Sequence, residues 1–193
     1  MISDQYQIQS KKFLRRFFID RRSNYFDEYD KKNNAHTHLK LILENTKPCV
    51  VGSYLPFRNE FPTRNLNDEL DKLNFNLSLP SINKNDSSMT FRNYTSDSSL
   101  VPNSYGILEP SQNAEMVTPS IIIVPLVAFS LGGYRLGYGG GYYDRYIEKN
   151  LENKNLITIG LGFSFQKYDE LPNENHDQKL NWILTEKYLY KVE

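Results

Sequence analysis

Residues Arg135 to Asp144 read RLGYGGGYYD, a set of groups suited to holding a phosphate beside a metal ion. Gly137, Gly139, Gly140 and Gly141 place four glycines within five positions. A backbone without side chains can turn several N–H groups toward one anion. Arg135 stands before the loop as a fixed cation, and Asp144 follows it as a hard oxygen ligand. A helix is expected to begin near Tyr142, and its first N–H groups would add to the anion site. The loop lacks the Gly-Lys-Ser/Thr ending of a Walker A loop and the G-x-G-x-x-G spacing of a dinucleotide fold. Tyr134, Tyr138, Tyr142 and Tyr143 surround it. They suit either the packing of a planar heterocycle or a core with wet hydroxyls.

Two other segments carry chemistry. Leu171 to Asp177 reads LPNENHD, and its acids would share a magnesium ion with Asp144 if the two meet in space. Zinc is not expected, because a second His or Cys at ligand spacing is missing. Arg58 and Glu60 follow a short apolar run, so they project at the carboxyl end of a strand or sit at a helix entrance near Thr63. No Ser-His-Asp or Cys-His nucleophile pattern occurs, and His36 and His38 read as surface residues. The chemistry that remains is phosphoryl transfer by positioning and charge.

The elements that must position these groups follow from the apolar pattern. Lys11 to Arg22 has Leu14, Phe17 and Phe18 at helical spacing. Its polar face carries Lys11, Lys12, Arg15, Arg16 and Arg22, which by spacing alone reads as a solvated basic face. Ala35 to Asn45, Thr63 to Leu73 and Tyr142 to Asn150 are further helices. Cys49 to Tyr54, Phe75 to Leu79, Met89 to Tyr94, Leu156 to Leu161 and Asn181 to Thr185 are strands, the second and third forming a hairpin. Ser81 to Ser88 and Asp97 to Ser104 are polar loops. Ile121 to Phe129 is apolar throughout and is expected to be one central strand. Strands alternating with helices predict a single three-layer α/β/α domain over residues 1–193, with a largely parallel central sheet.

Composition narrows the partners. The 193 residues hold 23 basic and 23 acidic side chains, so charge offers no hold on nucleic acid. Cys49 is the only cysteine, which fits a reducing compartment. No apolar run reaches membrane-spanning length, and the N-terminus lacks the apolar stretch of a signal peptide. A cytoplasmic monomer without nucleic-acid or membrane partners is expected.

The segment IVPLVAFSLGGYRLGYGGGYYDRY, Ile123 to Tyr146, resembles the hallmark of the 5-formyltetrahydrofolate cyclo-ligase family. KKFLRR from Lys11, YLPFRNEFPTRNL from Tyr54, MTFRNY from Met89, YGILEP from Tyr105 and LPNENHDQKLNWILT from Leu171 resemble its other segments in order. The resemblance spans nearly the whole chain. It implies ATP- and Mg2+-dependent closure of 5-formyltetrahydrofolate, with one or several glutamates, to 5,10-methenyltetrahydrofolate. It implies ATP contacts from Lys11, Lys12, Arg15 and the run Arg135, Leu136, Gly137, Tyr138, Gly139, Gly140, Gly141, Tyr142 and Tyr143. It implies folate contacts from Tyr54, Leu55, Glu60, Tyr105 and Tyr142, with Arg135 and Tyr142 nearest the chemistry. Asp144 and Asp177 would hold magnesium. Ser130 and Ser120 stand where the family usually has acids. Two other readings use the same loop: a folate- or nucleotide-binding protein without turnover, and a phosphotransferase for another small molecule.

Overall fold

The computed structural model describes residues 10–25, 35–151 and 156–193, so the polar N-terminal stretch before Ser10 lies outside the described residues. The helices are α1 (Lys11–Tyr25), α2 (Ala35–Leu43), α3 (Arg64–Lys72) and α4 (Tyr142–Lys149). The strands are β1 (Val50–Gly52), β2 (Asn76–Asn83), β3 (Ser88–Asn93), β4 (Leu100–Pro102), β5 (Leu108–Pro110) and β6 (Met116–Val117). They continue as β7 (Ile121–Pro125), β8 (Ala128–Phe129), β9 (Arg135–Leu136), β10 (Ile157–Leu161), β11 (Trp182–Leu184) and β12 (Leu189–Lys191).

Eight strands form one sheet in the order β12-β11-β10-β7-β1-β2-β3-β6. The run from β11 to β2 is parallel, and β12, β3 and β6 are antiparallel additions at the edges. The expected α/β/α layering with a largely parallel sheet is what the chain adopts. Strand β7 shows why. Its alternate residues Ile121 and Ile123 join Leu39, Leu43, Leu66 and Leu70 of α2 and α3 on one face. Ile122 and Val124 join Phe91, Ile183 and Ile147 of α4 on the other. A strand buried on both faces must be apolar at every position. Each such side chain contributes about 1.5–3 kcal/mol, so Ile123→Ala would cost about 2–5 kcal/mol. Gly52 of β1 has a packing reason too: a Cβ there would lie 2.5 Å from the Phe91 ring.

Three expectations are corrected. Ile121 to Phe129 is not one strand. The chain leaves the sheet after Pro125, whose missing N–H cannot continue a ladder. Ala128 and Phe129 then pair with Leu136 and Arg135 in a separate hairpin. Asp97 to Ser104 is not wholly loop, because Leu100–Pro102 pairs with Leu108–Pro110. The hairpin loop after β2 is shorter than Ser81 to Ser88, since β2 runs to Asn83 and pairs to Ser88. The apolar stripe of α1 lies on neither sheet face. Leu14 and Phe18 pack on Val127, Ala128, Leu136 and Leu171, which holds α1 against the β8–β9 hairpin beyond the sheet's carboxyl edge.

Candidate active site

The glycine loop leaves β9 and runs into α4, with Gly139 at φ +100° and Gly141 at φ +65°. Those angles suit glycine and strain other residues. Arg135 leads into the loop from a strand rather than from the loop itself. Its side chain is 4 % exposed and is clamped at both ends. Nη2 donates to Asp144 Oδ1 at 2.8 Å, and Nη1 donates to the Gln178 carbonyl at 2.8 Å. Gln178 N–H in turn donates to Asp144 Oδ1 at 3.0 Å. Burial draws the guanidinium pKa down, and the neighbouring Asp144 charge opposes that.

The same closure brings the second acid into place, because Asp177 directly precedes Gln178. Asp177 Oδ2 accepts from Lys11 Nζ at 2.7 Å and from Glu174 N–H at 2.7 Å. Burial would raise the Asp177 carboxyl, but the Lys11 ammonium outweighs it and holds the pKa below the usual range. Lys11 is held above its own range, its bonds to Asp177 and Glu174 outweighing burial. One turn along α1, Arg15 Nε donates to the Gly137 carbonyl at 2.8 Å, and its guanidinium carbon lies 3.4 Å from where a Cβ on Gly139 would be. The basic face of α1 is therefore not simply solvated. Arg15 meets the glycine loop and Lys11 meets Asp177 and Glu174, whereas Lys12 and Arg16 point outward and stay exposed.

Magnesium suits this pair of acids. Among the described residues Asp144 Oδ2 takes up no hydrogen bond, and Asp177 Oδ1 faces His176 Nε2 at 3.9 Å. Mg2+ commonly takes one or two carboxylates and completes its shell with water and phosphate oxygens. Among the described residues no cluster of three or more His, Cys, Asp or Glu is poised for a metal. Among the described residues, Asp144 and Asp177 could thus supply two ligands rather than a full cage.

Across from the loop lies Glu60, 5 % exposed, at the end of a tight turn. Arg58 and Asn59 both have positive φ, 50° and 58°, and Glu60 N–H closes on the Phe57 carbonyl at 3.1 Å. Left-handed conformations cost non-glycine residues roughly 1–2 kcal/mol each, so the turn needs outside support. Phe57 N–H donates to Glu60 Oε2 at 2.9 Å. Burial pushes the Glu60 pKa up to about 7, against that hydrogen bond and the Arg22 charge. Tyr143 sends a buried hydroxyl into the same region, without a hydrogen-bond partner among the described residues. Its pKa is raised by burial first and then by Glu60, with Arg135 opposing. Tyr143 therefore works beneath the loop, not around its outer rim.

The remaining predicted contacts divide. Tyr105, 49 % exposed at the tip of the β4–β5 hairpin, reaches the loop: its hydroxyl lies 3.3 Å from that of Tyr142. Glu109 anchors that hairpin, accepting from Ser81, Ile82 N–H and Asn103. Leu55 is half-buried beside the Glu60 turn. Tyr54 is no stacking wall. It is 3 % exposed in the core and donates to the Phe61 carbonyl at 2.9 Å. Leu136 is likewise a core side chain, and its carbonyl is taken by Val127 N–H.

The model of the 5-formyltetrahydrofolate cyclo-ligase family matches residues 7–186. The chain belongs to this family. Among its relatives, the 5-formyltetrahydrofolate cyclo-ligase of Haemophilus influenzae is 33 % identical, over 81 % of this chain and 86 % of its own. That of Mycoplasma genitalium is 28 % identical over 90 % of this chain and 96 % of its own. The solved structure of Aquifex aeolicus 5,10-methenyltetrahydrofolate synthetase superposes with a TM-score of 0.73 at 29 % identity, covering 95 % of this chain and 93 % of that one.

Ser120 and Ser130, where the resemblance implied acids, lie in different parts of the fold. Ser120 lies at the amino end of β7, the sheet edge opposite the loop, and pairs with Val50 and Ile157 backbone groups. Ser130 sits in the turn of the β8–β9 hairpin, where its N–H bonds the Tyr134 carbonyl. An acid still reaches that turn from elsewhere, because Asp169 accepts from Leu131 N–H at 3.3 Å. Two site residues escaped the sequence reading. Gln178 meets Arg135 and Asp144 through its backbone groups, so its side-chain type carries no signal of those contacts. Arg22 had one: it lies seven residues after Arg15, on the same helical face.

Proposed function

We propose that the protein closes the ring of 5-formyltetrahydrofolate to give 5,10-methenyltetrahydrofolate, with ATP converted to ADP and phosphate. One observation carries this reading. Three separate elements meet beyond the sheet's carboxyl edge: the loop with Arg135 and Asp144, α1 with Lys11 and Arg15, and the turn bearing Glu60. An anion-holding loop faces a buried carboxyl that can recognise a heterocycle.

The chemistry follows from the groups present. A formyl oxygen on nitrogen is a poor leaving group. Transfer of the terminal phosphoryl of ATP to that oxygen makes it a good one. The folate's second nitrogen then attacks the activated carbon and gives up its proton to solvent; the new C–N bond forms, the C–O bond breaks and phosphate departs, leaving a positive charge shared over the N–C–N bridge. Loop N–H groups from Gly139 to Tyr143, with Lys11 and Arg15, hold the ATP phosphates. Arg135 is fixed by Asp144 and Gln178 before any ligand arrives, so it stabilises the transferring phosphoryl with little reorganisation. Magnesium bound by Asp144 and Asp177 would neutralise phosphate charge during transfer. Glu60 hydrogen-bonds the folate ring, Leu55 gives it an apolar edge, and Tyr105 and Tyr142 stack on it. Lys12, on the outer side of α1, is left out of this set.

The test is direct. Purified protein with ATP and Mg2+ should consume 5-formyltetrahydrofolate as the near-ultraviolet absorbance of the methenyl product grows. No growth of that absorbance, with the protein folded, sinks the reading.

A further inference from the structure

Arg22 is fully buried, yet no carboxylate lies within 4 Å of it among the described residues. One of its nitrogens, Nη2, does all its bonding. It donates to the Arg58 carbonyl at 2.6 Å and to the Tyr138 hydroxyl. Among the described residues Nε and Nη1 are buried without partners. A buried guanidinium with unmet donors is a poor way to stabilise a fold. What it achieves is to join parts of the site.

Tyr138 is the side chain that the glycine loop sends into the Glu60 turn. It is flanked by Gly137 and Gly139, so its position follows the loop's conformation. Its hydroxyl donates to the Phe57 carbonyl at 3.4 Å, and its ring meets the Phe57 ring edge-on at 6.1 Å. The two carbonyls held this way, Phe57 and Arg58, belong to the turn whose two left-handed residues present Glu60. Moving Tyr138 therefore releases a strained turn, and releasing the turn moves Glu60.

We propose that Arg22 and Tyr138 are positioning residues that couple the glycine loop to the Glu60 turn, so that nucleotide and folate each tighten the binding of the other. The inference rests on the nucleotide and folate subsites given under Proposed function. Such coupling is reciprocal and commonly amounts to about tenfold.

The experiment is a calorimetric cycle on the whole chain. The Kd of 5-formyltetrahydrofolate is measured with and without a non-hydrolysable ATP analogue and Mg2+, and the Kd of the analogue with and without folate. The native protein should show the same ratio, about tenfold, in both directions. Tyr138→Phe keeps the ring and removes the hydroxyl; its ratio should fall to within about twofold of one. Arg22→Met removes the unmet donors, so it should unfold no earlier than the native protein while losing the same coupling. A merely structural Arg22 would give the reverse, lower stability with the ratio kept, and that result overturns the proposal. A native ratio of one, or a Tyr138→Phe ratio equal to the native, overturns it as well while leaving the function reading in place. Failure of the native protein to bind either ligand removes both.

Discussion

Arg135 and Asp144 stand nine residues apart, on either side of the glycine loop, and meet at 2.8 Å. The bond closes the loop at its base, as a clasp closes a ring. It gives the buried guanidinium its anion and fixes the carboxylate beside Gln178, and so beside Asp177. Charge neutrality at the base of the loop comes from this one contact.

Asp144→Asn should lower turnover by at least a hundredfold, because it removes the proposed metal ligand and the charged partner of Arg135 together. Leaving that cation buried and unpaired should also cost about 3 kcal/mol of stability. Steady-state rates and urea midpoints check both halves. Native turnover in the variant would remove Asp144 from the reaction.

Glu60 gives the protein a pH signature. Its folded pKa of about 7 lies above the ordinary 4.5, so the folded state binds more protons between those values. Stability should therefore fall as pH rises from about 4.5 to about 7, by on the order of 3 kcal/mol in all. Glu60→Gln should flatten that slope and weaken folate binding. An unchanged slope in urea titrations across the window would show that Glu60 is not the group responsible.

Tyr105→Phe removes only a long contact with Tyr142 and should change the folate KM less than threefold or so. Tyr105→Ala removes the ring and should raise it about tenfold or more, with kcat less affected. Equal effects of the two substitutions on KM would rule out stacking as the role of this ring.

Gly139→Ala adds a Cβ at φ +100° and 3.4 Å from the Arg15 guanidinium. The strain should cost roughly 1–2 kcal/mol, and the distorted loop should raise the KM for ATP more than that for folate. Equal KM changes for both substrates would argue against a nucleotide cradle at this loop.

Much of this was legible in order along the chain. The two-faced apolar run at β7, the hairpin from Asn76 to Asn93 and the loop between a cation and an acid are local patterns, and local patterns reflect burial and backbone freedom directly. Arg22 and Tyr54 were misjudged for one shared reason. An arginine on a basic helix and a tyrosine beside a folate-like segment have identical sequence signals whether they face solvent, ligand or core. The packing of α1 against the β8–β9 hairpin decided both outcomes for that helix, burying Arg22 while leaving Lys12 outside.

The sequence by itself determined the parallel α/β sheet, the glycine loop between Arg135 and Asp144 and the family, since each depends on residue type and spacing within a short stretch. The tertiary structure alone decided which distant groups meet. Lys11 bonds Asp177 across 166 residues and Arg22 bonds Tyr138 across 116, and no local spacing encodes either. Those pairings depend on where α1 docks, which is a balance of apolar burial summed over Leu14, Phe18 and their partners. A sum over distant contacts leaves no mark at any one position of the chain.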